Sequence, residues 1–174
     1  MTTMDKRYNV LFLSGWYPNR TYPTMGIFIR RYALAVSAFD NVAALYICSD
    51  PSLTDRNYEL VESMDENVLT VNVYYKKVRS GVPLFSSLLK LFRYQRAYRK
   101  GWDQINKKFG RPDIVHAHIV FPVGMVAWLL RRIKSIPYLI TENWSGYLPS
   151  DGSYQGFLKT NLTKLIIITI CIVN

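Results

Sequence analysis

Short apolar runs of strand length alternate along this chain with longer stretches whose apolar residues recur every three or four positions. That alternation is the pattern of a mostly parallel sheet covered by helices, and it constrains the fold more than any other feature of the sequence. Tyr8 to Ser14 (YNVLFLS) reads as the first strand, apolar enough to be buried on both faces. Gly15 to Met25 follows as a loop punctuated by Pro18, Asn19 and Pro23, and Phe28, Tyr32, Ala35 and Phe39 then mark a helix that begins near Gly26. Val42 to Cys48 is predicted as a second strand and Val68 to Tyr75 as a third, with a polar, acidic connection from Asp50 to Asn67 between them.

The spacing of Leu88, Leu91, Tyr94, Tyr98, Trp102, Ile105 and Phe109 predicts a long amphipathic helix from Leu84 to Phe109. Its basic residues, Lys90, Arg93, Arg96, Arg99 and Lys100, fall largely on other faces. Gly101 is a mild weakness inside it, and Gly110-Arg111-Pro112 ends it. Asp113 to Ala117 is expected to be a short strand running into His118, Phe121 to Lys134 a helix, and Tyr138 to Thr141 another buried strand. From Phe157 to Asn174 the chain reads as a helix leading into a β-branched strand, an ending expected of a truncated or frameshifted chain.

Composition sets bounds on partners and location. With 174 residues, 49% apolar and 20% charged, one globular domain over residues 1–174 is expected to bury a full core. Asp5, Lys6 and Arg7 precede only the short apolar run Val10 to Leu13, and no cleavage site follows, so no signal peptide is expected. The stretch Leu165 to Val173 is far shorter than the roughly 20 residues of a membrane span. Cys48 and Cys171 lie in apolar runs, as reduced thiols do, which favours a cytoplasmic location. The net charge of +10 favours anionic partners: phosphorylated ligands, nucleic acid or an anionic membrane face.

In open parallel sheets ligands bind beyond the carboxyl ends of the strands, where strand order reverses. Three loops qualify. The first offers Gly15, Trp16, Tyr17 and Tyr22 and ends at Gly26, where the amide groups of a starting helix would face a phosphate. The second holds His116 and His118, the two histidines of the chain, on one face of a strand end. His116 is expected to be packed and hydrogen-bonded near the sheet, and His118, closer to the terminus, to meet a ligand. The third places Glu142 and Asn143 directly after a strand with Trp144 and Tyr147 behind them, the mixture of carboxylate, amide and flat aromatic faces that suits a sugar ring.

Taken together, VLFLSGWYPN with the GIFIRRYALAV helix, then PDIVHAHIVFPVGMVAW, then PYLITENWSGY, resemble the N-terminal domain of family 4 glycosyltransferases, the retaining GT-B enzymes. The likeness runs from about Asn9 to Tyr154 in the expected order. It implies an α/β, Rossmann-like parallel sheet flanked by helices, the acceptor-side half of a two-domain enzyme. The other half would bind a nucleotide sugar as co-substrate, and neither a metal nor a further cofactor is required. Gly26 matches the glycine of the family's first loop, which approaches the donor diphosphate, and His118 matches the second histidine of its H-A-H segment.

Two departures accompany the likeness. Where the family commonly has a histidine in a T-x-H pattern, this chain has Asn143, which can hydrogen-bond a hydroxyl but not take a proton. The family's donor half, with its Arg/Lys pair and E-x7-E signature, is not found: Glu59, Glu62, Glu66 and Glu142 are not so spaced. The resemblance therefore implies a chain that transfers no hexose by itself to a polysaccharide or lipid-linked acceptor. It also gives the basic helix a place, against anionic headgroups on the inner membrane face. Two alternatives stay open at this point: a metal-dependent hydrolase built on His116 and His118, which lacks a third histidine, and a basic nucleic-acid-binding module, which lacks a recognised motif.

Overall fold

A computed structural model describes residues 6–77 and 83–143. Nine elements follow in order: β1 (Asn9–Ser14), α1 (Ile27–Ser37), β2 (Asn41–Asp50), β3 (Tyr58–Asp65), β4 (Val68–Lys76), α2 (Pro83–Lys108), β5 (Ile114–His118), α3 (Met125–Lys134) and β6 (Tyr138–Thr141). The strands form one sheet in the order β3-β4-β2-β1-β5-β6, parallel throughout except for β3, which runs against β4. This is the expected α/β, Rossmann-like arrangement, with one antiparallel strand added at an edge.

Side-chain direction alternates along each central strand and sorts the core into two layers. Leu11 and Leu13 of β1 join Ala43, Leu45, Val71, Val73, Val115 and Ala117 under Ala97, Tyr98 and Ile105 of α2 and Ala127 of α3. Val10 and Phe12 face the other way, with Val42, Ala44 and Tyr46, under Ile29 and Ala33 of α1. Because helices cover both sides, β1 is apolar without a break from Val10 to Leu13 rather than alternating. The split between faces follows from right-handed crossovers: the chain moves one way from β1 to β2 and the other way from β4 through β5 to β6.

The acidic connection between the second and third predicted strands contains β3, which its apolar pattern does not announce. Its burial is intermediate or exposed throughout, and it is held by the ladder to β4, from Tyr58 opposite Tyr75 to Asp65 opposite Val68. Glu59, Glu62 and Asp65 keep this edge charged, as edge strands that avoid pairing with other chains tend to be. A tight turn with Glu66 at φ 52° closes the hairpin.

Helix α2 corrects the expected stripe at its N-terminal end. Leu88 and Leu91 are exposed, while Tyr94, Ala97, Tyr98, Gly101 and Ile105 face the sheet. Gly101, a weakness by propensity, is required by proximity: a Cβ there would lie 2.4 Å from Leu45 Cδ1. Of the basic residues expected to face outward, Lys90, Arg96, Arg99 and Lys100 do so, whereas Arg93 is half-buried and donates to the Lys76 carbonyl at 2.6 Å. The predicted helix Phe121 to Lys134 begins as a wide turn at Val120 and becomes regular α3 only from Met125. Among the described residues no helix is long and apolar enough to cross a membrane.

Candidate functional site

Strand order reverses at β1, which has β2 on one side and β5 on the other, so the crevice expected of such a sheet opens beyond Ser14 and His118. The two strand ends are tied directly. Gly15 N–H donates to the His118 carbonyl at 3.3 Å, and Ile119 N–H donates to the Thr141 carbonyl of β6 at 3.0 Å. Ile119 itself adopts φ 90°, a region that a β-branched residue enters only under constraint, at a cost of about 1–3 kcal/mol. Glu142 supplies part of that constraint, its carboxylate accepting from Val120 N–H at 2.9 Å. The turn leaving His118 is thus strained and cross-braced.

His118 is 1% exposed, and neither ring nitrogen has a hydrogen-bond partner among the described residues. Its imidazole stacks on Phe12, centroids 5.1 Å apart, and on Tyr32 of α1 at 6.1 Å. His116 lies beside it, ring centroids 4.2 Å apart, with Nε2 2.8 Å from Thr141 Oγ1. Burial lowers both imidazoles, His116 to about 4 and His118 to about 3, where the neighbouring ring adds to the effect. At neutral pH both are uncharged, so His118 holds one N–H and one lone pair, each in want of a partner. A buried polar group left so is costly, of order 1–3 kcal/mol, and such groups are where a ligand gains most.

The first loop is built to hold its shape. Ser14 Oγ donates to the Trp16 carbonyl and accepts from its N–H, and Asn19 Oδ1 accepts from Thr21 and Tyr22 N–H at 3.0 and 3.1 Å. Arg20 reaches Asp50 at 2.7 Å and Glu59 at 2.8 Å, and its guanidinium lies 4.0 Å from the Tyr74 ring centroid. The loop ends at Gly26, φ 64°, where a Cβ would meet the Trp16 carbonyl oxygen at 2.3 Å. Only glycine fits that conformation at that distance. Helix α1 then starts with no side-chain cap and no acidic residue in its first turn, leaving the positive end of its dipole uncompensated.

The sequence-predicted residues thus divide. Gly15 and His118 meet at the switch point, and the α1 face carrying Tyr32 closes over the imidazole. Trp16 is half-buried on the loop, and Tyr17 is 2% exposed and packs in the α1-side core. Glu142 and Asn143 follow β6 on the exposed side, with Glu142 engaged at Val120. Trp144 and the tail with Cys171 lie outside the described residues. Tyr32 and Thr141, which touch the histidines, carry no sequence signal that separates them from packing residues.

Among the described residues no group of three or more His, Cys, Asp or Glu side chains gathers where a metal ion could be held. The hydrolase reading therefore gains no support from the site.

No family model matches the chain. Over 127 residues it is 32% identical to a protein of Methanocaldococcus jannaschii named as an uncharacterized glycosyltransferase, a match covering 70% of this chain and 32% of that protein. The chain therefore spans about a third of the relative's length. The comparison supports a general kinship with glycosyltransferases.

Proposed function

We propose that this chain forms the acceptor-side wall of a GT-B glycosyltransferase of family 4, which moves a hexose from a nucleotide sugar to a polysaccharide or lipid-linked glycan. The observation that carries the reading is His118: a neutral, buried imidazole without a partner among the described residues, at the switch point of a Rossmann-like sheet. A sugar hydroxyl both donates and accepts, and an uncharged imidazole answers with both. Gly26 would let the backbone at the start of α1 approach a diphosphate, and the helix dipole would favour that charge by about 0.3–1 kcal/mol. Asn143 would orient a hydroxyl without exchanging a proton. The opposite wall and its cationic clamp for the leaving diphosphate belong to a second half. The 174-residue chain by itself is expected to transfer no sugar, because the electrostatic preorganisation that dominates such catalysis is then missing. Nucleic acid has no part in this reading.

The test combines turnover and spectroscopy. The chain is mixed with UDP-glucose and GDP-mannose in the presence of hexose-terminated oligosaccharides, and the imidazole resonances of His118 are followed during titration with the oligosaccharides alone. No turnover, together with saturable shifts at His118 that vanish in His118→Ala, is expected. Robust turnover would overturn the predicted inactivity, and His118 resonances indifferent to every saccharide would overturn the acceptor-side assignment.

A further inference from the structure

The edge strand β3 carries three acidic residues, and each is paired with a different element. Glu59 accepts from Arg20 of the first loop at 2.8 Å. Asp65 accepts twice from Arg30 of α1, from Nη2 at 2.6 Å and from Nε. Glu62 accepts from Gln104 of α2 and lies 4.0 Å from the Lys108 ammonium. Their spacing explains the division. Side chains alternate along a strand, so Glu59 and Asp65 share one face and Glu62 takes the other. Helix α1 covers the first face of the sheet and α2 the second, which is how a single strand reaches both helical layers.

A strand edge defended only against pairing would keep its charges free in water. Here the Glu59 and Asp65 side chains are 26% and 21% exposed, and both are bonded to guanidinium groups. Isolated surface ion pairs hold little, but one of these is bidentate and the other belongs to a network, the two geometries that do hold. Arg20 bonds Asp50 at 2.7 Å as well as Glu59, its guanidinium lies 4.0 Å from the Tyr74 ring centroid, and its backbone N–H donates to the Tyr74 hydroxyl at 3.2 Å. Glu59 and Tyr74 face each other across the β3–β4 ladder. The middle of the first loop is therefore fastened to β2, β3 and β4 at once.

Gly26 lies between Arg20 and Arg30, and the Arg30 N–H closes onto the Gly26 carbonyl at 3.3 Å. The glycine has no side chain to anchor it, and α1 begins there without a side-chain cap. Its place at the crevice depends on what fixes the chain on either side, and on both sides β3 does so. We propose that β3 is a brace for the start of α1: Arg20 and Arg30 are positioning residues that, through Glu59 and Asp65, hold the Gly26 backbone where a diphosphate would meet it. The consequence for binding rests on the reading of Gly26 under the proposed function, whereas the bracing does not.

Positioning and plain electrostatics differ here in sign. Neutralising Glu59 and Asp65 removes two negative charges beside the loop and frees two guanidinium groups, which by Coulomb attraction alone would draw an anion in more tightly. Loss of the brace acts the other way, because a loop held in place for a smaller fraction of the time binds more weakly in proportion.

Amide hydrogen exchange of residues 15–30 in the full chain, together with UDP titration followed at the Gly26 and Ile27 amide resonances, tests the brace. Asp65→Asn and Glu59→Gln should each speed exchange of that segment about ten-fold while β1 and β5 keep their protection, which also verifies that each variant folds. The double variant should bind UDP at least about three-fold more weakly. Asp65→Glu, which keeps a carboxylate, should stay close to the wild type. Glu62→Gln, on the same strand but facing α2, should leave residues 15–30 as they are. Equal loosening by Glu62→Gln, exchange unchanged in both Asp65→Asn and Glu59→Gln, or tighter UDP binding in the double variant would each overturn the proposal. Should UDP leave the wild-type Gly26 amide unmoved, the diphosphate reading falls and exchange alone decides the brace.

Discussion

Acidification from pH 7 to pH 5 should cost this fold about 4 kcal/mol through its two histidines alone. In the unfolded chain both imidazoles titrate near 6.5; in the fold His116 titrates near 4 and His118 near 3. The folded values are depressed, so between these limits the unfolded chain binds more protons and stability rises with pH. At pH 7 neither state binds many protons at these sites. At pH 5 the unfolded imidazoles are almost fully protonated while the folded ones are not, which amounts to about 2 kcal/mol for each ring. Carboxylates titrate mostly below this window, so the histidines dominate it. Against a typical total of about 5–15 kcal/mol, the loss is large. Urea unfolding followed by tryptophan fluorescence at pH 7, 6 and 5 measures it directly. His118→Asn should remove about half of the pH dependence, whatever it does to the stability at pH 7. A transition midpoint unchanged between pH 7 and 5, or a full pH dependence surviving in the double variant His116→Asn, His118→Asn, would refute the burial argument.

Two further outcomes follow from single positions. Gly26→Ala places a side chain at φ 64° and against the Trp16 carbonyl, which should cost about 2–4 kcal/mol and lower the melting temperature by about 10 °C in a thermal scan. Asp50→Asn should cost about 1–3 kcal/mol in urea unfolding, because it weakens the Arg20 fork that pins the first loop to β2. Burial alone would raise the Asp50 carboxyl, but the Ser52 hydroxyl and amide and the Arg20 guanidinium outweigh it and hold it below the ordinary range. Its stabilising contribution is therefore present above about pH 4 and lost as pH falls further, and the Asn variant should lack that step in acid.

The relative from Methanocaldococcus jannaschii and the geometry at β1 and β5 bear on different links of the argument. The likeness supports a general glycosyltransferase role, and the sheet brings His118 and Gly15 together at the switch point. Among the described residues neither nitrogen of His118 has a partner at that point.

Much of the architecture was legible in the order of residues, because periodicity records which sides of an element lose water. Val10 to Leu13 is apolar at every position, and it became the central strand covered on both faces. Where backbone pairing rather than burial makes the element, the pattern falls silent: β3 is an acidic edge held by its ladder to β4. Gly101 looked like a flaw and is the point at which α2 approaches Leu45. Leu88 and Leu91 match the period of the buried stripe but stay exposed, since a helix has an inward side only as far as other elements extend beneath it.

The residue types of the site were likewise readable, and their states were not. A sequence can place His116 and His118 at a strand end, but the stacking of Tyr32 on His118, the hydroxyl of Thr141 beside His116 and the burial that keeps both rings neutral arise only when α1, β5 and β6 close on one another. Local order along a chain sets periodicity and turn chemistry; desolvation and unpartnered nitrogens are properties of a packed volume, and they come into being with the tertiary structure.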